Sequence, residues 1–514
     1  MKRIIFVDDD PNILAGLEDA LWDQDDRWEM SFLLSAEAAL DELAKKPADI
    51  LVTDVRMPGM DGIALLHRVR DAFPEIVRIV LSGQSELDLT LSELPLVHQF
   101  LGKPCEARLL KETLERASNL EKLLPDRALR QQVGKLGSLP CLRSRIQELR
   151  DVLQKQQVTL QEIAKVAEQE PVVLARVLQL ANSALFGPQL SVSSAVRSVS
   201  RLGLDVLRSL LRSDAFFSAE PGSEGTLVLL HRHALLTARI AACLCGENLR
   251  GQSAAPGPGP GGAEDPGPSS STDCGRQSRT SDPRAMRCSA QTSAAATGSG
   301  SGSGSGGNGN GGSTGGGWTR SALPPDSHPS SQSLGQSLGQ SLDDDAAESK
   351  AEAALCGMLH GFGRLALTFG LPDYESHILV PARQSGRQVL DVEKEVLGAT
   401  HADVGAYLLG LWGIPKNVID VIKQHHDPRQ AVAMPIAPAD AVYLAEVLAI
   451  EAEESVAAAQ CEKTTRTEGN EGGRRIDVDA IFASLGLGGV LSAWRTIASE
   501  NARQVEAEFA ARVP

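Results

Sequence analysis

The eight cysteines of this chain include no C-x-x-C pair, and Cys243 and Cys245 stand two apart, a spacing that suits neither a zinc knuckle nor a disulfide framework. Positive charge is not in excess. Fifty Lys and Arg against 66 Asp and Glu leave a formal net charge of −16. That excludes a general electrostatic grip on nucleic acid, though not a local basic patch. No secretory h-region follows the opening MKRIIFVDDDP, and no uninterrupted run of about 18 apolar residues occurs. These absences together predict a soluble protein of a reducing cytoplasm, without membrane contact. What is present is enough apolar material for real cores, 42% of 514 residues, a length that suits two or three domains.

Residues 250–350 stand apart in composition, with stretches such as GSGSGSGSGGNGNGGSTGGG and SLGQSLGQSL. Apolar side chains are few there and neither sheet nor helix periodicity is found. Such a segment buries too little surface to offset the entropy of ordering it, so it reads as a disordered insert. Cys274 and Cys288 fall inside it and carry no structural role. A second polar loop, EKTTRTEGNEGGRR, occupies 462–475.

The first 120 residues alternate short apolar runs with amphipathic ones. RIIFV, ADILVTD, VRIVLSG and VHQFLGK read as buried parallel strands, and NILAGLEDALW has helical spacing. A right-handed doubly wound α/β sheet follows. In such sheets functional groups gather beyond the carboxyl ends of the strands. Asp8, Asp9, Asp54, Ser82 and Lys103 all fall there. Three clustered carboxylates repel one another and need a cation. Hard oxygens with open positions suit Mg²⁺, which also accepts phosphate oxygens. One carboxylate can then attack a phosphoryl group to form an acyl phosphate, with the lysine and hydroxyl holding the phosphoryl oxygens.

The motifs VDDDP, TDVRMPGMDG, LSG and FLGKP, in that order and spacing, resemble the receiver domain of bacterial response regulators over residues 1–120. The resemblance implies a flavodoxin-like fold, with Asp54 as phosphoacceptor and Mg²⁺ held by Asp8, Asp9, Asp54 and the backbone carbonyl of Arg56. It implies Ser82 as the switch hydroxyl, Lys103 as the phosphate-contacting lysine and Phe100 as the rotating aromatic. Pro58 and Gly62 shape the loop after Asp54.

After Pro104, the run CEARLLKETLERASNLEKLL places Leu110, Leu114, Ala117, Leu120 and Leu124 at helical spacing, and Pro125 stops it. This helix is expected to run out of the receiver toward a second domain through a helical linker at 121–135. Its seam suits core contact or a short contact in a homodimer; a sustained coiled coil would need more heptads.

From 136 onward apolar residues recur every three or four positions and no β-rich run follows, so the remainder reads as all-α on both sides of the insert. ANSALFGPQLSVSSAVRSVSRLG, GMLHGFGRLAL and EKEVLGATHADVGAYLLGLWGIPKNVIDVIKQHHDP resemble, over 136–450 apart from the insert, the HDOD domain, a non-catalytic relative of the HD phosphohydrolases. Residues 451–514 form a C-terminal helical extension.

An HD site uses a His-Asp pair whose carboxylate can bridge two metals that activate water. Here Gly361 follows His360 and offers no ligand. Glu446, in YLAEVLA, is a late carboxylate. His231 or His233, His360, His401, His425 and His426 persist. They are read as polar residues satisfied within a helical core, the alternative being a residual single-metal or phosphate pocket. The expectation is a two-component response regulator. A sensor histidine kinase phosphorylates Asp54, and a non-catalytic HDOD output domain binds a partner protein, with no direct DNA binding. The alternatives are a metal-dependent phosphodiesterase acting on a cyclic dinucleotide, disfavoured by the missing aspartate and by the lack of a G-Y-P tripeptide, and an HDOD sensor of a small ligand or nucleotide.

Overall fold

The structure is a computed structural model and describes residues 1–83, 91, 93–186, 191–212, 224–246, 331–427, 429, 431–461 and 476–511. The amino-terminal part contains β1 (Lys2–Val7), α1 (Pro11–Leu21), β2 (Trp28–Leu33), α2 (Ala36–Lys45), β3 (Ile50–Asp54), α3 (Gly62–Ala72), β4 (Val77–Ser82), β5 (Gln99–Gly102) and α4 (Ala107–Ser118). All pairings are parallel and the strand order is β2-β1-β3-β4-β5. This is the doubly wound sheet expected from the alternating runs. Strands β3 and β4 are buried along their whole length, which is why they read as continuous apolar runs rather than alternating ones.

Helix α4 corrects the expected rod. It ends at Ser118, and a short 3-10 turn, Leu120–Lys122, follows. The Ser118 hydroxyl donates to the Leu114 carbonyl and the Asn119 amide to the Glu115 carbonyl, so side chains occupy the last helical acceptors. The linker helix α5 (Arg127–Gly134) then seats against the receiver. A Cβ at Gly134 would lie 2.0 Å from the Pro74 carbonyl oxygen, so only glycine allows this approach. The buried guanidinium of Arg78 on β4 reaches the carbonyls of Leu96 and Gly134, at 2.7 and 3.0 Å.

The helical part comprises α6 (Arg143–Gln154), α7 (Leu160–Ala167), α8 (Pro171–Ala181), α9 (Ala195–Arg212), α10 (Glu224–Leu244), α11 (Ser331–Leu359), α12 (Phe362–Gly370), α13 (Val380–Ser385), α14 (Val389–Leu397), α15 (His401–Leu411), α16 (Lys416–Gln424), α17 (Pro438–Cys461), α18 (Val478–Ser484) and α19 (Leu491–Ala510). Helix α9 breaks at Gly203, whose φ of +74° favours glycine. Helix α10 is long and apolar enough to cross a membrane by composition; here it packs against α17 and α19 as a core helix. The C-terminal extension is thus part of the same bundle, and α17 runs straight through its expected boundary at 450.

Most of the expected insert, and the loop 462–475, lie outside the described residues. Its last stretch, 331–350, belongs to α11. Glycine and serine repeats hid the start of that helix, because they erase the apolar periodicity on which a helix reading rests.

The helical part packs directly on the receiver's edge strand. The short turn Ala184–Phe186 lies against β5, and a Cβ at Gly102 would come 3.2 Å from the Ala184 carbonyl oxygen. Gln99 on β5 donates to the Leu411 carbonyl at 3.2 Å. Leu120 rests on Gly410, whose Cβ would fall 2.7 Å from the leucine.

Candidate functional site

Strand register assembles the first site. Val7 pairs with Thr53, so Asp8 and Asp54 emerge side by side from β1 and β3. Ser82 pairs with Gly102, which places Lys103 one residue beyond β5 at the same end. The Lys103 ammonium bridges the carboxylates of Asp8, at 2.8 Å, and Asp54, at 2.5 Å. Asp8 and Asp54 are buried whereas Asp9 is exposed. One carboxylate oxygen from each of the three lies within 4.8 Å of the others. Burial pushes the Asp54 carboxyl up, against the opposing pull of Lys103. Hard oxygens on three converging acids fit Mg²⁺, and an exposed Asp9 leaves room for its waters.

Ser82 is fully buried at the end of β4, and Phe100 is buried on β5. Arg56 and Pro58 are exposed in the loop after Asp54. Gly62 has a steric reason: a Cβ there would lie 1.8 Å from the Asp54 carbonyl oxygen, and its N–H donates to the Val55 carbonyl at 3.0 Å. The glycine folds the loop back under the acid.

The second cluster gathers His233, from the middle of α10, with His360, His401, His425 and His426 at neighbouring helix ends, with ring-to-ring separations of 4.0–5.6 Å. His231 points elsewhere. It is buried and pairs with Glu170 at 2.7 Å. Close helix crossings create the second cluster. A Cβ at Gly363 would lie 1.8 Å from the His401 carbonyl oxygen, and one at Gly357 would lie 2.6 Å from the Ala238 Cα. The glycines of GMLHGFG therefore let α11 and α12 touch α10 and α15.

Glu446 is the carboxylate of this cluster. It accepts from His233 at 2.8 Å and faces His360 at 2.9 Å. Burial would lower the His233 pKa, but Glu446 and Glu453 more than offset it and hold it at about 10. Both ring nitrogens of His233 face carboxylates, Nε2 toward Glu446 and Nδ1 toward Glu453 at 3.0 Å. Glu393, absent from the expected set, is buried beside His401 and also accepts from the Tyr374 hydroxyl. Burial would raise its pKa; His401 and these hydrogen bonds hold it at about 2. His425 departs from the expected satisfied core: its Nε2 is buried without a partner among the described residues. Gly361 leaves space, since a Cβ there would meet nothing within 4 Å. It borders a cavity of ≈ 20 Å³ lined by His233, His360, Arg364, His401 and Glu446. Sequence reading missed Glu393 because an acid eight positions before a histidine is no helical pattern; a loop and a helix start bring the two together.

Comparison with known proteins agrees with both halves. The response regulator receiver domain model matches residues 4–115, and the HDOD domain model matches 139–254 and 333–428. The chain joins a response regulator receiver domain to an HDOD domain. The receiver–HDOD chain is 31% identical over 117 residues to an uncharacterized transcriptional regulatory protein, YesN, of Bacillus subtilis, which is 22% of this chain and 32% of that one. It is 38% identical over 86 residues to the DNA-binding transcriptional regulator NtrC of Klebsiella pneumoniae, 17% of this chain and 18% of that one. It thus spans less than a third of the length of these curated relatives. Among solved structures, a signal receiver domain of an HD domain-containing protein from Pseudomonas fluorescens is 27% identical. That match covers 24% of this chain and 93% of that one, with a TM-score of 0.23.

Proposed function

We propose that this protein is a two-component response regulator in which a sensor histidine kinase phosphorylates Asp54 and the HDOD domain binds a partner protein. The observation that carries this reading is the Lys103 ammonium held between Asp8 and Asp54 at the carboxyl ends of the strands. In the transfer, an Asp54 carboxylate oxygen forms a bond to phosphorus while the bond to the kinase imidazole breaks. Lys103 and the Ser82 hydroxyl would hold phosphoryl oxygens, and Asp8, Asp9, Asp54 and the Arg56 carbonyl would hold a magnesium ion. The ion would neutralise the acids and the incoming phosphate.

The phosphoryl group biases a two-state receiver. Contacts of β5 with Ala184–Phe186 and Leu411 give the HDOD domain a direct mechanical link to that strand. The output acts by binding rather than turnover, in a reducing cytoplasm and without direct DNA contact. Gly361 supplies no bridging carboxylate. The test is a pull-down from lysate with wild-type and Asp54→Asn protein, each with Mg²⁺ and a small phosphodonor. A partner whose recovery changes with the phosphodonor for wild type alone supports the reading. Recovery that ignores both contradicts it.

A further inference from the structure

Strand β5 carries the reactive lysine at its end, and it is the shortest of the five strands and lies at the sheet edge. Its inner side pairs with β4, and the Lys103 amide just beyond it donates to the Ser82 carbonyl at 2.9 Å. On its outer side the HDOD domain takes the place of a further strand. Gln179 donates to the carbonyls of His98 and Val97, at 2.9 and 3.3 Å, where the strand begins. Gln99 donates in the other direction, to the Leu411 carbonyl at 3.2 Å. Where the strand ends, a Cβ on Gly102 would come 3.2 Å from the Ala184 carbonyl oxygen. The next residue is Lys103, whose ammonium spans Asp8 and Asp54.

The HDOD side of this contact is stiff. Gln179 sits on α8, which is buried along its whole length. Arg176, three residues earlier, donates to the Gln179 side-chain oxygen at 2.8 Å, which turns the amide hydrogens toward the strand carbonyls. The Arg176 guanidinium is itself fixed, lying 3.6 Å from the centre of the Trp412 ring and donating to the Gly137 carbonyl. Asn182 braces the turn that follows: its amide donates to the Leu178 and Val192 carbonyls, and its oxygen accepts from the Val192 amide. A four-residue edge strand is a segment that opens at low cost when nothing covers it. Here it is covered by groups whose own directions are set.

We infer that Gln179 and Gln99 are positioning residues for the receiver reaction: through them the HDOD domain clamps β5 and holds the Lys103 ammonium where it meets Asp54 and the incoming phosphoryl oxygens. The inference rests on Asp54 being the phosphoacceptor and Lys103 its partner, as proposed above. It runs opposite to the output path, since the HDOD domain here governs the chemistry of the receiver. A misplacement of about 1 Å in a reacting constellation costs about 100-fold in rate, so a strand end free to drift is a poor mount for the lysine. A protein that draws the HDOD domain away from β5 therefore slows further phosphorylation of Asp54.

The test follows the initial rate at which a small acyl phosphodonor labels the full chain in saturating Mg²⁺, with Mg²⁺ affinity measured by calorimetric titration. Wild type should label and Asp54→Asn should not; failure of that control sinks the phosphoacceptor reading itself. Gln179→Leu and Gln99→Leu, which cut the clamp from its two sides, should each label about 10-fold more slowly or worse. Their Mg²⁺ affinity should not fall, because Asp8, Asp9 and Asp54 belong to β1 and β3 rather than β5. Phe482→Leu removes a buried ring that packs on Trp494 between α18 and α19. It should lower stability yet label at the wild-type rate. In a Lys103→Gln background, Gln179→Leu should add no further slowing, because its effect passes through the ammonium. With wild type labelled, the proposal is overturned if both clamp variants label at the wild-type rate, or if Gln179→Leu slows the Lys103→Gln protein by the factor seen in wild type. It is equally overturned if Phe482→Leu shares the slowing, since the rate would then follow stability and not the clamp.

Discussion

The side-chain amide of Gln179, on α8 of the HDOD domain, donates to the His98 carbonyl just before receiver strand β5, at 2.9 Å. The same amide approaches the Val97 carbonyl at 3.3 Å, and both residues are buried. An edge strand exposes unpaired backbone groups, and here the second domain supplies the donors. Gln179→Leu keeps the volume but leaves a buried carbonyl unsatisfied. We expect a loss of about 1–3 kcal/mol, read by denaturant unfolding. An unchanged midpoint would show that water replaces the amide.

Gly363 sets how closely α12 approaches α15. Gly363→Ala would put a methyl 1.8 Å from the His401 carbonyl oxygen, so the helices must separate. Overpacking of this kind costs about 1–3 kcal/mol, and the melting temperature should fall. Gly361→Ala, only two residues away, meets open space and should be nearly neutral. Equal effects of the two would refute the crossing as the reason for the glycine.

His231 and Glu170 form a buried pair that joins α10 to the start of α8, and Glu170 also accepts from the Leu142 backbone at 3.2 Å. Burial would lower the His231 pKa, but Glu170 more than offsets it and holds the imidazole above its ordinary value. A folded-state pKa raised above the unfolded one stabilises fully below the unfolded value of about 6.5. That stabilisation is lost as pH rises through the folded-state pKa. Glu170→Ala should cost about 3–5 kcal/mol at low pH, as for other broken buried pairs. The stability gap to wild type should narrow as pH rises above about 6.5. A gap that widens with pH would contradict the charged pair.

The receiver was legible almost residue by residue. Its site lies at strand ends, where the order of acids, hydroxyl and lysine along the chain maps directly onto space. The histidine cluster was legible only as a list. His233 and Glu446 are more than 200 positions apart and meet through packing of α10 and α17, which no local period encodes. The start of α11 was hidden by glycine and serine. The break after Ser118 was hidden because Leu120 and Leu124 keep helical spacing and stay buried beyond the helix end.

Asp54→Asn should abolish acyl-phosphate labelling by a small phosphodonor with Mg²⁺, because an amide is a poor nucleophile. Lys103→Gln should slow labelling and unpair Asp8 and Asp54, which the ammonium now bridges. Labelling of Asp54→Asn at the wild-type level would place the phosphoryl group elsewhere.

Hydrogen exchange across the domain interface tests the coupling most directly. Amides of 97–102 and 179–186 would be followed by mass spectrometry in wild type and Asp54→Asn, with and without phosphodonor and Mg²⁺. We expect phosphorylated wild type to change protection in both segments together, while the variant stays constant. Full phosphorylation at Asp54 with identical exchange in both segments would contradict a signal that passes through this interface.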